Sequence, residues 1–128
     1  MTSDVGAQAD KAYGLYLGGL RDGQWQGFHE VLADEVDLVW PYPPSAGHYT
    51  GADGRQKLMV FLDQFGDEGN RIVESEVLLR VIDGDRVIFE DHGKGTLFRR
   101  PYEGRHCIIF VMSDGRVAGF HEYTARVA

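Results

Sequence analysis

The chain has 128 residues, of which 43% are hydrophobic and 26% are charged, and its 20 acidic and 13 basic residues give a formal net charge of −7. A chain of this length can build one substantial core, so we expect residues 1–128 to form a single domain. No Lys- or Arg-rich run is present, which argues against nucleic acid or an anionic membrane surface as a partner.

Cys107 is the only cysteine, which excludes an internal disulfide and a cysteine-based zinc site. The first residues lack the basic stretch followed by an apolar segment that marks a signal peptide. No apolar run approaches the roughly 20 residues that a membrane-spanning helix needs. We therefore expect a cytoplasmic protein that does not bind membranes.

The first half of the chain has apolar residues at helical spacings of three and four. This pattern predicts a helix over residues 5–21, which includes Tyr16, and a short second helix over about 23–33. Alternating apolar residues from Val36 to Trp40 then predict a strand, which ends at a proline-rich loop containing Tyr42 and His48. A third helix is predicted over about 52–66, with Phe61 on its apolar face.

The second half reads as four long strands, at 71–83, 85–99, 104–112 and 116–125. The Asp-Gly pairs at 83–84 and 114–115 indicate hairpin turns. Gly93 and Gly95 indicate a bulge or bend that curves the sheet. The element order predicts an α+β fold, in which a cone-shaped antiparallel sheet packs against three N-terminal helices and encloses a cavity.

The last hairpin raises a chemical question, because its apolar strands carry His106 and Glu122. A turn near Asp114 places these two residues opposite each other on the inner face of the sheet. With the preceding connection near Arg100-Pro101, His92 falls on that same face. An imidazole beside a carboxylate in apolar surroundings suits acid–base chemistry, because burial raises the carboxyl pKa and an imidazolium lowers it. The alternatives are a structural ion pair, or a face turned to solvent or to a partner.

The segments LRDGQWQGFHEVLADEVDLVWP, TGADGRQKLMVFL, VIFEDHGKGTLFRRPYEGRH and YEGRHCIIFVMSDGRVAGFHEY resemble the nuclear transport factor 2-like superfamily, specifically its SnoaL-like and ketosteroid isomerase branch. That resemblance implies a cystatin-like roll, which hosts enzymes of many types as well as non-catalytic binders. Tyr16 matches the oxyanion-hole tyrosine of the isomerases. Trp40 and Ile108 stand where those enzymes have their two catalytic aspartates, which argues against steroid isomerisation of that type.

A further likeness is to the phenazine-biosynthesis A/B proteins, which combine a proline-rich stretch after the first strand with an acid–base glutamate on the last. Glu122 matches that glutamate, and His48 is the counterpart of a pocket histidine. We accordingly expect Glu122, His106, Tyr16 and His92 to be catalytic. The residues expected to shape the substrate cavity are Trp40, Tyr42, His48, Phe61, Ile108, Phe110 and Phe120.

The function expected from these residues is cofactor-free acid–base chemistry on a small apolar or aromatic molecule, of the isomerase, dehydratase, cyclase or condensation type. The spacing of His92, His106 and Glu122 is not diagnostic of a metal site, so we expect no metal. A homodimer is expected through an outer sheet face bearing Cys107 and Ile109. Two alternatives stay open: a non-catalytic ligand-binding or scaffold domain, and an interaction module whose cone is filled by side chains.

Overall fold

The computed structural model describes residues 4–126, and its first half contains three helices. Helix α1 covers Val5–Asp22, α2 covers Gln26–His29 and α3 covers Gly51–Asp67. The Asp4 carboxylate caps α1 by accepting a hydrogen bond from the backbone of Ala7 at 2.9 Å. The predicted second helix is too long at its C-terminal end, because from Leu32 onward the chain already belongs to the sheet.

Six strands form one curved, unclosed sheet. They are β1 Leu32–Trp40, β2 Gly47–Tyr49, β3 Arg71–Asp83, β4 Arg86–Leu97, β5 Arg100–Ser113 and β6 Arg116–Arg126, in the order β2-β1-β6-β5-β4-β3. Strands β1 and β6 run parallel, whereas the other neighbours are antiparallel, so the sheet is mixed rather than purely antiparallel. The short strand β2, inside the predicted loop, was not foreseen.

The helices cover one face of this sheet, with α3 packed on β1 and α1 packed mainly on β3. The core between the layers is rich in aromatic rings. Its fully buried side chains include Phe28, Phe89, Phe110, Phe120, Leu38, Leu58, Leu62 and Ile108. The predicted α+β architecture of helices on a curved sheet is confirmed.

The β5–β6 hairpin turns at Asp114-Gly115, where both residues have positive φ, as a two-residue type I′ turn requires. A register irregularity in β6 follows between the partners of Val111 and Met112. His106 therefore lies opposite Thr124, and Ile108 lies opposite Glu122. The prediction that His106 directly faces Glu122 is wrong, although both residues lie on the inner face and are buried.

The β4–β5 hairpin turns at Phe98 and Arg99, which have φ values of 52° and 65°. Leu97 pairs with Arg100, so the register differs by an odd number from the one predicted. A slip of one residue exchanges the two faces of a strand. Asp91 therefore points inward, and the prediction that His92 shares the inner face is wrong.

Gly93 and Gly95 do not form a bulge in β4, because the β4–β5 register is regular across both. The irregularities lie in β3, between Ile72 and Glu74 and between Val77 and Leu79. A Cβ atom at Gly95 would lie 1.9 Å from the backbone oxygen of Arg71. The glycine thus permits the close approach of β3 to β4 at this position.

Candidate active site

The space between the helices and the sheet contains a small inner cavity of about 20 Å³, which is room for about one water molecule. Its walls combine apolar side chains with two carboxylates, a histidine and three tyrosines. The lining residues are Tyr16, Leu20, Trp40, Tyr42, Leu62, Phe65, Ile72, Ser75, Asp91, Leu97, Tyr102, His106, Ile108 and Glu122.

The Glu122 carboxylate lies in this wall with only 2% of the residue exposed, and it contacts three hydroxyl groups. Tyr16 donates to Oε1 at 3.3 Å, and Tyr42 donates to Oε2. The Thr124 hydroxyl lies 3.1 Å from Oε2 and 2.9 Å from the Tyr42 oxygen. The carboxylate is thus held by hydroxyl groups from α1, from the loop after β1 and from its own strand. None of these three hydrogen-bond partners carries a formal charge.

This environment changes the acidity of each group. Burial raises the pKa of Glu122, and it outweighs the opposing effects of the Tyr42 hydrogen bond and the His106 charge. Burial, followed by the charge of Glu122, raises the pKa of Tyr16 and of Tyr42 well above the ordinary value. The two phenols therefore stay protonated as hydrogen-bond donors, and Glu122 is a stronger base than an exposed carboxylate.

A second carboxylate, Asp91, contributes to the same cavity and is also 2% exposed. Tyr13 donates to its Oδ2, and His106 Nδ1 lies 2.7 Å from its Oδ1. The other ring nitrogen of His106, Nε2, lies 2.8 Å from the Tyr102 hydroxyl. These contacts form a continuous chain from Tyr102 through His106 and Asp91 to Tyr13.

His106 is therefore paired with Asp91 rather than with Glu122 as expected. Burial lowers the pKa of His106, but the Asp91 hydrogen bond and the charges of Glu122 and Asp91 together raise it above the ordinary value. The influence of Glu122 on His106 is thus electrostatic and acts without a hydrogen bond between them. The inner cavity consequently holds two separate acid–base groups.

An outer cleft of about 500 Å³ adjoins the inner cavity, and the two share Trp40, Tyr42, Phe65 and Leu97 as walls. This volume is typical of a small-molecule site. The remaining residues of the cleft are Pro43, Pro44, Ser45, Phe61, Gln64, Glu68, Asn70 and Phe98. Neither lining contains a lysine or arginine among the described residues 4–126. The combined space suits a neutral, largely apolar molecule.

Of the four residues expected to be catalytic, the structure brings Glu122, His106 and Tyr16 together around the inner cavity. His92 is separated from them, because it lies on the outer face of β4 and its Nε2 is 2.6 Å from Glu103. The odd register of the β4–β5 hairpin is the physical reason.

The residues expected to bind substrate divide into three groups. Trp40 and Tyr42 line both spaces, Ile108 lines the inner cavity, and Phe61 lines the outer cleft. Phe110 and Phe120 belong to neither lining and are fully buried in the core. His48 lies exposed on β2 instead of over the cavity mouth, and it pairs with Asp37 at 2.8 Å.

The sequence reasoning missed Asp91, Tyr13, Tyr102 and Thr124. Thr124 was accessible in principle, because alternate residues of a strand share a face and Glu122 precedes it by two. Tyr13 lay on the predicted apolar stripe of α1, where it resembled a core residue. Tyr102 shares the inner face with His106, which follows it by four residues on β5, but it lies before the predicted start of that strand at residue 104. Asp91 depends on the β4–β5 register, and the turn residues Phe98 and Arg99 include no glycine or asparagine that would indicate it.

Two further properties bear on function. Within the part of the chain that the structure describes, no group of three or more His, Cys, Asp or Glu side chains has the geometry to hold a metal ion. Across residues 4–126, none of the helices combines the length and hydropathy required to cross a bilayer.

Comparison with known proteins establishes the family. Residues 15–120 match the model of the SnoaL-like domain, so the chain belongs to the SnoaL-like family of the nuclear transport factor 2-like superfamily. No curated protein matches the sequence.

Solved structures share the fold at low sequence identity. A nuclear transport factor 2-like protein from Anabaena variabilis superposes with a TM-score of 0.84 at 19% identity, covering 98% of this chain and 94% of its own. A protein from Rhodopseudomonas palustris with a provisional isomerase assignment gives 0.74 at 18% identity, covering 97% and 91%. An epoxide hydrolase from M. tuberculosis gives 0.67 at 19% identity, covering 93% and 84%.

Proposed function

We propose that this member of the SnoaL-like family is a cofactor-free enzyme that moves a proton on a small, neutral, apolar or aromatic substrate, with Glu122 as the general acid–base. The observation that carries the proposal is a buried carboxylate with a raised pKa in the wall of a cavity next to an apolar cleft. Perturbed carboxyl groups of this kind are concentrated at catalytic sites. The relatives of known or assigned activity support an enzyme and leave the reaction open.

We place different parts of the substrate in the two adjoining spaces. The body of the molecule occupies the outer cleft and packs against Trp40 and Phe61, whose rings contact each other in its wall. Its reacting end enters the inner cavity, where the available volume is about 20 Å³. This entry requires Tyr42 to exchange its hydrogen bond with Glu122 for one with the substrate.

The chemistry that fits is proton transfer next to a carbonyl. Glu122 takes a proton from the carbon beside the carbonyl, and the electron pair of that C–H bond moves to form an enolate. Tyr16 and Tyr42 remain protonated and donate hydrogen bonds to the enolate oxygen. Return of the proton from Glu122 to another carbon completes an isomerisation, whereas its delivery to a departing hydroxyl completes a dehydration.

The proposal can be tested with 5-nitrobenzisoxazole, a neutral aromatic probe with one acidic C–H bond. A base removes that proton, a nitrile forms, the N–O bond breaks, and the coloured phenolate released is followed by absorbance. We expect Glu122→Gln to slow the elimination by about 100-fold, a typical contribution of a general base. Glu35→Gln, an exposed substitution on β1, serves as the control and should leave the rate unchanged.

A second candidate is a ligand-binding domain without catalysis. The observation that favours it is the small inner cavity, whose carboxylate already has three hydroxyl partners. In that case the probe would bind in the outer cleft with the same affinity in the wild type and in Glu122→Gln, and neither protein would turn it over.

The outer face of the sheet supports a proposal about assembly. Leu79 and Tyr123 are 51% and 52% exposed there, and with Ile88 and Cys107 they line an apolar groove of about 360 Å³. Charges of both signs, from Glu90 and Arg105, lie beside it. A face that is apolar and carries both signs of charge can complement a copy of itself, so we propose a homodimer through this surface.

A further inference from the structure

The inner cavity contains a second group of hydrogen-bonded acid–base side chains that the mechanism above does not use. His106 lies opposite Thr124 on neighbouring strands, and Thr124 contacts Glu122. His106, in the middle of the Tyr102–His106–Asp91 chain, therefore lies two residues along the strands from the pair that contains the proposed base. Tyr102 and His106 both line the cavity that Glu122 lines.

We propose that Tyr102 is a second acid–base residue of this site and that His106 and Asp91 position it and control its proton. The inference rests on the proposed function, since it assigns a second role within the same cavity. It is supported by two short contacts in series, 2.8 Å from Tyr102 to His106 and 2.7 Å from His106 to Asp91.

The proton positions in this chain follow from what each group can donate. An ionised carboxylate only accepts hydrogen bonds, so the Asp91 contact places a proton on Nδ1 of His106. In the neutral ring Nε2 is then unprotonated and accepts the hydrogen bond of the Tyr102 hydroxyl. Asp91 is itself held by Tyr13, which donates to its other oxygen. Asp91 on β4, which Tyr13 on α1 holds in place, thus fixes the tautomer of His106.

This tautomer lets Tyr102 act in both directions. When His106 is neutral, the Tyr102 proton can pass to Nε2 while the phenolate oxygen takes a proton from the substrate. The imidazolium formed keeps its Nδ1–H bond to Asp91, and the reverse transfer restores the starting state. When His106 is already protonated, Nε2–H donates to the Tyr102 oxygen, and Tyr102 can donate its own proton to a substrate oxygen in the cavity.

The charge state of His106 therefore selects the role of Tyr102. The groups that act on His106 are Asp91 on β4, Tyr102 on β5 and Glu122 on β6, and Tyr13 on α1 reaches it only through its hydrogen bond to Asp91. The negative charges of Glu122 and Asp91 both raise the pKa of His106, against the effect of burial. Ionised Glu122 consequently favours the state in which Tyr102 is a donor. Glu122 is then the base and Tyr102 the acid of the same cavity.

Nuclear magnetic resonance tests the positioning without requiring turnover. In ¹⁵N-labelled wild-type protein, neutral His106 should carry its proton on Nδ1, and Nε2 should show the shift of an unprotonated nitrogen. Asp91→Asn should lower the His106 pKa and remove the tautomer preference. A neutral ring protonated on Nε2 in the wild type would overturn the proposal, whatever the outcome for Glu122.

Kinetics with 5-nitrobenzisoxazole tests the role of Tyr102 itself, which can donate a hydrogen bond to the phenolate as the N–O bond breaks. Tyr102→Phe should lower kcat about 10-fold or more, leave KM nearly unchanged and remove the His106 ionisation from the pH profile. Tyr49→Phe is the matched control, because it removes a hydroxyl whose only described hydrogen bond is to the backbone of Ser45.

The outcomes separate the two proposals. If Glu122→Gln slows the reaction while Tyr102→Phe leaves the rate and the pH profile unchanged, the assignment of Glu122 as the base stands and the assignment of Tyr102 is refuted. A wild type that does not turn over the probe would count against the proposed function, and the tautomer measurement would still decide the His106 assignment.

Discussion

Replacing Glu122 with Gln should make the protein more stable at neutral pH, although the side chain is buried and hydrogen-bonded. Burial raises the pKa of the native carboxyl, whereas in the unfolded chain the group ionises near its ordinary value of 4.5. Between 4.5 and the native pKa, the folded protein thus binds more protons than the unfolded chain. The stability that this carboxyl contributes is complete below the unfolded pKa and is lost as the pH rises through the native pKa.

The size of the effect follows from proton linkage. Where the folded state holds one extra proton, the free energy of unfolding falls by about 1.4 kcal/mol for each pH unit. Gln keeps one acceptor oxygen and replaces the other with an NH2 donor, so one of the tyrosine hydroxyls must accept a hydrogen bond instead of donating one. Gln has no proton to lose in this pH range, so this part of the slope disappears. His106 contributes with the same sign above its own ordinary value of 6.5, so the window between 4.5 and 6.5 isolates Glu122.

Urea unfolding followed by the fluorescence of Trp25 and Trp40 would measure this difference at pH steps from about 4.5 to 8. Below pH 6.5 the groups common to both proteins cancel when one curve is subtracted from the other, whereas above it His106 differs, because the Glu122 charge that raises its pKa is absent from the variant. The wild-type curve should fall relative to Glu122→Gln by up to about 1.4 kcal/mol per pH unit within the window from 4.5 to 6.5, which leaves the variant the more stable protein at neutral pH. Parallel curves, or a Gln variant that is less stable at every pH, would refute the reasoning.

Two further predictions concern the fold and the assembly. Gly95→Ala should destabilise the protein by about 2 kcal/mol or more in the same urea assay, because the added Cβ meets backbone that has no side-chain freedom to yield. Gly14→Ala is the control, at an exposed helix position with open space around it, and it should raise the free energy of unfolding by about 0.5–1 kcal/mol. Equal changes in stability for the two substitutions would contradict the argument that Gly95 permits a close approach of the strands. Leu79→Glu should convert the proposed dimer to a monomer in sedimentation velocity, and a wild type that sediments as a monomer would rule out the assembly.

The sequence was informative wherever local periodicity determines structure. The stripe around Tyr13 and Tyr16 placed α1 to within one residue, since helical spacing is a strong signal over so long a segment. The Asp-Gly pair at 114–115 located the last hairpin, and alternation then put His106 and Glu122 on the buried face. The fold followed from these elements and from the family resemblance.

The site was harder to predict because it depends on register across strands. The β4–β5 turn uses Phe98 and Arg99 at positive φ, which are not the residues that usually mark such a turn. The odd offset in register exchanged Asp91 for His92 on the inner face and so changed which carboxylate pairs with His106. Similarly, the irregularity in β6 moved Glu122 from beside His106 to beside Ile108. Such shifts are set by packing between strands and leave no local trace in the sequence.

The central claim is that Glu122 acts as a base on a molecule held in the outer cleft. A crystal structure with 5-nitrobenzotriazole, a planar and unreactive analogue of the elimination probe, tests that claim most directly. The account predicts the nitroaromatic ring in the outer cleft against Trp40 and Phe61, its N–H within hydrogen-bond distance of Glu122, and Tyr42 moved from the carboxylate. A ligand bound elsewhere, or held in the cleft with the Tyr42–Glu122 hydrogen bond intact, would contradict it.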